Sequence, residues 1–282
     1  MKEIPSGSPS EPFFLEADSG KRFCLYHPPR PDRKCRGGII YVPPFGDEMN
    51  KARRMAAMQS RALATMGFGV LQMDLFACGD SSGEFADARW DIWKQDLTIA
   101  RRWLENRATV PISLWGLRLG ALLALDFARN LENTIAQIIL WQPVISGESF
   151  LTQFLRFRLA NEMLGGTGKA TGTNTMRDCL ANGETIEVAG YELAPELAAA
   201  IDSLRASELV VAGSRVHWFE IVAEAGRSIT PAGAKVVDAW KRSGVDLHLH
   251  VVPCLPFWAT QEISECAELV SATANIFAEE SL

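Results

Sequence analysis

The sequence predicts an α/β protein, a mostly parallel sheet with helices packed on both faces. Two observations carry this. Apolar runs of strand length recur along the chain, and nearly every one is followed by a segment with helical periodicity. The composition agrees: 48% of the 282 residues are apolar, 22% are charged and the mean hydropathy is +0.02, enough apolar material for one large core.

The elements read in order as follows. Residues 38–44 (GIIYVPP) form a β-branched strand, and 49–66 follow as a helix with Gly67 as the left-handed residue after its end. Residues 69–76 (GVLQMDLF) are the next strand and 90–106 an amphipathic helix, with Trp90, Trp93 and Trp103 as core positions. Strand 112–117 (ISLWGL) turns straight into helix 119–129, and 137–144 (QIILWQPV) is another strand. Two further units pair strand 216–222 with helix 232–242 and strand 247–253 with helix 262–278. Near the start, 12–16 and 22–27 read as an antiparallel hairpin at the sheet edge.

The interval 145–209 breaks the alternation. It holds a helix at about 150–163, a Gly/Thr-rich stretch at 165–175 and more helical pattern at 195–205. These roughly 65 residues exceed what a crossover needs, so they are expected to form an inserted cap, with 165–175 as a mobile loop. The core would then comprise 1–144 and 210–282. A merely irregular crossover is the alternative.

Charge and cysteine usage exclude several functions. With 34 acidic against 28 basic residues the net charge is −6, and no basic stripe is present to meet nucleic acid or an anionic membrane. No uncharged apolar window reaches membrane-spanning length, and the polar first 20 residues lack the apolar core of a signal peptide. The six cysteines (24, 35, 78, 179, 254 and 266) include no C-x₂-C pair, so neither zinc nor another metal or cofactor is expected. Reduced thiols in a soluble, cytoplasmic protein are the expectation.

The pentapeptide Gly116-Leu117-Arg118-Leu119-Gly120 lies between a strand and a helix. That is the context of the G-x-nucleophile-x-G elbow, whose glycines permit a cramped turn that lifts a nucleophile above the sheet. The order of elements and this elbow resemble the α/β-hydrolase fold. The central residue, however, is Arg118, whose guanidinium stays protonated and cannot accept an acyl group. The acid position, four before Pro231, falls on Arg227, with Glu224 the sole acid within a turn. The histidine position after the last strand falls on Phe257 or Trp258. The triad-equivalent residues Arg118, Arg227 and Phe257 cannot perform triad chemistry.

Supporting loops are present. Residues 74–83 (DLFACGDSSG) follow the pattern D-x-x-G-x-G-x-S-x-G with Ala77 for one glycine, and 42–50 stand where an oxyanion loop belongs. The words FCLYHPP (23–29), PPFGDEMNKARRM (43–55), MDLFACGDSSGEF (73–85), LWGLRLGALLA (114–124), LWQPVISG (140–147) and PFWATQEI (256–263) resemble the exosortase A system-associated hydrolases of the second type. The resemblance spans about 12–278 and implies a bacterial setting near the machinery that sorts surface proteins and makes exopolysaccharide. It also implies that arginine is the usual elbow residue. Pro43 departs from the histidine expected at its position.

Arg118 would sit at a helix N-terminus, where the dipole opposes a cation by about 0.3–1 kcal/mol. A salt bridge to Glu48, Asp47 or Glu224 would offset this and plug the old active site. Alternatively, Arg118 and the oxyanion-hole amides would hold a small anionic or acylated ligand, with Leu119, Phe45, Gly46, Asp47, Glu48, Cys78 and Trp258 as further lining. A different reading keeps hydrolysis of an ester or thioester through Cys78 or Ser81, the latter within GDSSG (79–83), a second G-x-S-x-G match. His248 and His250 share one strand face and read as packing or edge residues, while His27 and His217 show no partner in the sequence.

Overall fold

The computed structural model describes residues 9–108, 110–131, 135–164 and 172–279. Among them ten strands are found: β1 (Glu11–Ala17), β2 (Gly20–His27), β3 (Gly37–Val42), β4 (Phe68–Met73), β5 (Ile112–Leu117), β6 (Gln137–Trp141), β7 (Ile186–Val188), β8 (Tyr191–Leu193), β9 (Arg215–Val222) and β10 (Asp246–Pro253). Eight of these form one sheet in the order β1-β2-β4-β3-β5-β6-β9-β10. The β1–β2 and β2–β4 pairs are antiparallel, which places the predicted hairpin at the edge, and every pair from β4 to β10 is parallel.

Alternating residues of the central strands feed two layers. Ile40, Val42, Leu114 and Leu140 pack with helices α2 (Trp90–Arg107), α3 (Leu119–Arg129) and α7 (Pro231–Arg242). Ile39, Tyr41, Trp115 and Trp141 pack instead with α1 (Asp47–Thr65) and α8 (Ala267–Glu279). Burial on both faces explains why β3, β5 and β6 read as unbroken apolar runs rather than alternating ones. Gly67 follows α1 with φ +96°, as its position predicts.

Between β6 and β9 the chain leaves the sheet for α4 (Gly147–Leu164), α5 (Thr173–Ala181), the β7–β8 hairpin and α6 (Pro195–Ser203). Phe150, Leu155, Met176, Leu193 and Ile201 belong to the same buried cluster as α2 and α3, so this segment shares the core of the sheet.

Two expectations need correction, and one element goes beyond them. The Gly/Thr-rich loop ends sooner than 175: residues 165–171 lie outside the described residues, but α5 begins at Thr173. Met176 and Leu180, one turn apart, are buried, and Arg177 ties the helix to Asp202 at 2.7 Å and to the Thr152 hydroxyl at 2.7 Å. The last helix starts at Ala267 rather than 262. Residues 262–266 form a loop because their ties run to α1: Glu265 pairs with Arg54, and the Cys266 N–H donates to Met55 Sδ at 3.2 Å. The β7–β8 hairpin was not foreseen. Its strands have three residues each, and its turn puts Ala189 (φ 51°) before Gly190 (φ 85°), where asparagine or aspartate would have signalled it.

Candidate functional site

β5 delivers Arg118 to the C-terminal edge of the sheet in an unusual backbone state, φ 56° and ψ −118°. Such a conformation costs on the order of 1–3 kcal/mol and persists only where its surroundings determine it. Here they do. The Arg118 N–H donates to the Trp141 carbonyl at 3.0 Å, and its own carbonyl accepts from Ala121 at 3.1 Å and Val144 at 3.3 Å. Both glycines are required by contact: a Cβ on Gly116 would lie 2.6 Å from Ala121 Cα, and one on Gly120 would strike the Val42 and Pro43 carbonyls. The elbow geometry is therefore complete around an arginine.

Of the three carboxylates proposed as its partner, Glu48 alone reaches Arg118. Nε donates to Glu48 Oε1 at 3.3 Å. Asp47 pairs with Lys51 at 2.9 Å, and Glu224 pairs with Arg227 at 3.5 Å on the surface. The Arg118 guanidinium carbon also stands 5.3 Å from the Trp258 ring centroid, a cation–π contact. Its two terminal amino groups carry no hydrogen bond among the described residues. Glu48 Oε2 is buried and has no hydrogen-bond partner among the described residues, and burial raises the Glu48 pKa against the lowering effect of Arg118.

The other two positions that the sequence matches to a triad, Arg227 and Phe257, lie in unlike surroundings. Arg227 is 63% exposed in the loop before α7. Phe257 is fully buried and packs edge-on against Trp141 and Trp258 with centroids at 6.1 and 5.0 Å. An apolar ring thus packs against Trp258, and among the described residues no histidine bonds to Arg118.

Arg118 opens onto a cleft of about 390 Å³ between the sheet edge and α4. Phe45, Asp47, Glu48 and Trp258 line it as the sequence proposed. Lys51, Phe150, Phe154, Phe157 and Tyr191 also line it and were not singled out. A signal existed for the aromatics, since positions 150, 154 and 157 recur at helical spacing within a predicted helix. Phe45 is their hub, edge-on to Phe85, Phe150 and Phe154 with centroids at 5.4, 5.7 and 5.0 Å. Gly46 precedes α1 with φ 58°, and Leu119 begins α3, its N–H without a partner among the described residues. Leu119 and Cys78 lie instead around a tight gap below the cleft, with Gly46 and Trp90.

Neither alternative nucleophile is prepared for attack. Ser81 Oγ donates to the Asp74 carbonyl at 2.5 Å and accepts from the Phe23 N–H at 3.0 Å, so the hydroxyl staples the 74–83 loop to β2. The Cys78 thiol is pushed up to about 12 by burial and then by Asp74 and Asp96, so it stays protonated at neutral pH. Asp74 has its own structural task, accepting from Arg53 at 3.1 Å and from the Asp80 N–H at 3.0 Å. His217, His248 and His250 stack together on β9 and β10, away from the cleft lining, with His217 Nδ1 3.1 Å from His250 Nε2. Among the described residues no group of three or more His, Cys, Asp or Glu is placed to hold a metal ion, and no helix is long and apolar enough to cross a membrane.

No protein-family model matches this sequence, and a search of the curated proteins returns no match. Solved structures do resemble it in shape. Est1E from Butyrivibrio proteoclasticus, solved with ferulic acid bound, superposes with a TM-score of 0.66 at 18% identity, covering 95% of this chain and 98% of its own. A thermostable carboxyl esterase from Bacillus coagulans, in complex with glycerol, gives 0.64 at 13% identity, covering 96% and 98%. Alpha/beta hydrolase domain-containing protein 10 from mouse gives 0.58 at 15% identity, covering 95% and 99%. The chain has the α/β-hydrolase fold; at these identities the likeness speaks to fold alone.

Proposed function

We propose that this α/β-hydrolase-fold protein binds a small carboxylate with an apolar or aromatic tail and does not hydrolyse esters through the elbow. One observation carries the reading: the elbow presents a guanidinium with two unengaged amino groups to a cleft walled by aromatic rings. A planar fork of donors matches a carboxylate, and desolvation by the rings strengthens the contact. The segment 145–209 acts as the cap, contributing Phe150, Phe154, Phe157 and Tyr191 as the wall for the tail. In the neighbouring structure solved with ferulic acid the ligand is itself an aromatic carboxylic acid, which agrees with this chemistry. The shared wording with the exosortase A system-associated hydrolases supports a cytoplasmic role beside surface-protein sorting or exopolysaccharide production.

Hydrolysis through Ser81 or Cys78 has no favouring observation, given the hydrogen bonds of the one and the protonated thiol of the other. The test is direct. Purified protein should show no turnover of p-nitrophenyl acetate or butyrate and no labelling by a serine-directed phosphonate probe. Arg118→Ser should remain equally silent, because Arg227 and Phe257 still occupy the acid and histidine positions. Stoichiometric labelling mapped to one residue of the wild-type chain would overturn the proposal.

A further inference from the structure

We infer that the ligand of this cleft is a straight-chain carboxylate of roughly ten carbons, with α4 as the wall that measures its chain and Phe157 as the residue that reads the far end. The inference rests on Arg118 holding the carboxylate, as proposed above.

Three rings of α4 line the cleft: Phe150, Phe154 and Phe157. Their spacing of four and then three residues puts them on one face of the helix, and at 1.5 Å per residue the row extends over about 10 Å. Its near end is fixed to the elbow. The Val144 N–H donates to the Arg118 carbonyl at 3.3 Å, and α4 begins shortly afterwards at Gly147. Phe150 and Phe154 are buried and meet Phe45 edge-on, with centroids at 5.7 and 5.0 Å. Phe157 differs. It lines the same cleft, yet it is 61% exposed. A ligand whose ring stands directly beside its carboxylate stops short of this surface, whereas an extended chain running along the row covers it and gains by the burial.

The other banks fit such a chain. Beyond Arg118 and Glu48 the charged groups in the lining are Asp47 and Lys51, which pair with each other at 2.9 Å, and Gln153 is neutral. The cleft therefore offers no second net charge, and the tail it suits is uncharged. Ala189 and Tyr191 of the β7–β8 hairpin line it as well. Tyr191 packs edge-on to Phe85 with centroids at 5.0 Å, and Arg158, the residue after Phe157, donates to the Glu187 carbonyl at 3.2 Å. The hairpin and this part of α4 are thus held together, which keeps the distance from Arg118 to Phe157 constant.

Calorimetric titration of the full chain with butanoate, octanoate, decanoate and dodecanoate, each below its micelle concentration, reads this length. Affinity should rise about fourfold per added methylene, the gain from burying one CH₂, and level off beyond roughly ten carbons, where the chain runs past Phe157. Phe157→Ser should weaken decanoate by about tenfold and leave butanoate unchanged, and Phe157→Leu should restore decanoate. Position 157 is exposed, so neither substitution opens the core. The two readings of the site fail differently. Decanoate binding that is lost in Arg118→Met yet no tighter than that of butanoate in the wild type, or a Phe157→Ser loss equal for both acids, would overturn the chain-length inference alone. Decanoate binding that survives unchanged in Arg118→Met, or no binding of any of the four acids, would overturn the carboxylate reading and this inference with it.

Discussion

Arg118 stands where two costs accumulate, a backbone state strained by about 1–3 kcal/mol and a cation at a helix N-terminus opposed by about 0.3–1 kcal/mol. Its single bond to Glu48 and its contact with Trp258 offset part of this, and a bound carboxylate would offset more. Glu48 then becomes a competitor. Its pKa is raised by burial, so it holds its proton above the ordinary carboxylate range and is charged only at higher pH. When charged it repels an incoming anion; when protonated it does not. Replacing it by a neutral isostere therefore matters at high pH and not at low pH. Glu48→Gln should tighten carboxylate binding by about tenfold at pH 8, with the gain shrinking as the pH falls through the Glu48 pKa, measured by calorimetric titration across that range. A gain independent of pH would show that Glu48 does not carry the competing charge.

Elements position these residues by close packing more than by hydrogen bonds. The junction of α4 with α6 is the clearest case outside the elbow. Gly147 begins α4, and a Cβ there would drive into the Ile201 carbonyl in α6. Gly147→Ala should cost about 2–4 kcal/mol in urea unfolding and displace the aromatic wall, whereas Gly172→Ala, where a Cβ meets nothing within 4 Å, should be nearly neutral. The strands and helices of the sheet were readable because two-sided burial leaves continuous apolar runs and the helices keep their 3.6-residue period. What escaped was set by contacts distant in sequence. The loop before α8 is held open by α1, and the three-residue strands of the β7–β8 hairpin are too short to show alternation.

Across the whole molecule, the sheet edge, the inserted segment and the loop after β10 converge on one cleft. The elbow was legible because its glycines and flanking elements are local features, and Arg118 declared itself within that frame. The choice of Glu48 over Asp47 and Glu224, the ring of Trp258 over Arg118, and the Phe150–Phe154–Tyr191 wall required the folded chain, because they join residues from four separate segments. The fold is shared with solved esterases, and we propose that its cleft here holds an acid rather than cleaving an ester. The central claim is tested most directly by calorimetric titration with 4-phenylbutanoate and its neutral amide, on the wild type and on Arg118→Met. The account predicts saturable one-to-one binding of the carboxylate, loss of at least about tenfold in affinity in the variant, and no binding of the amide. Equal affinity of wild type and variant for the carboxylate would contradict it.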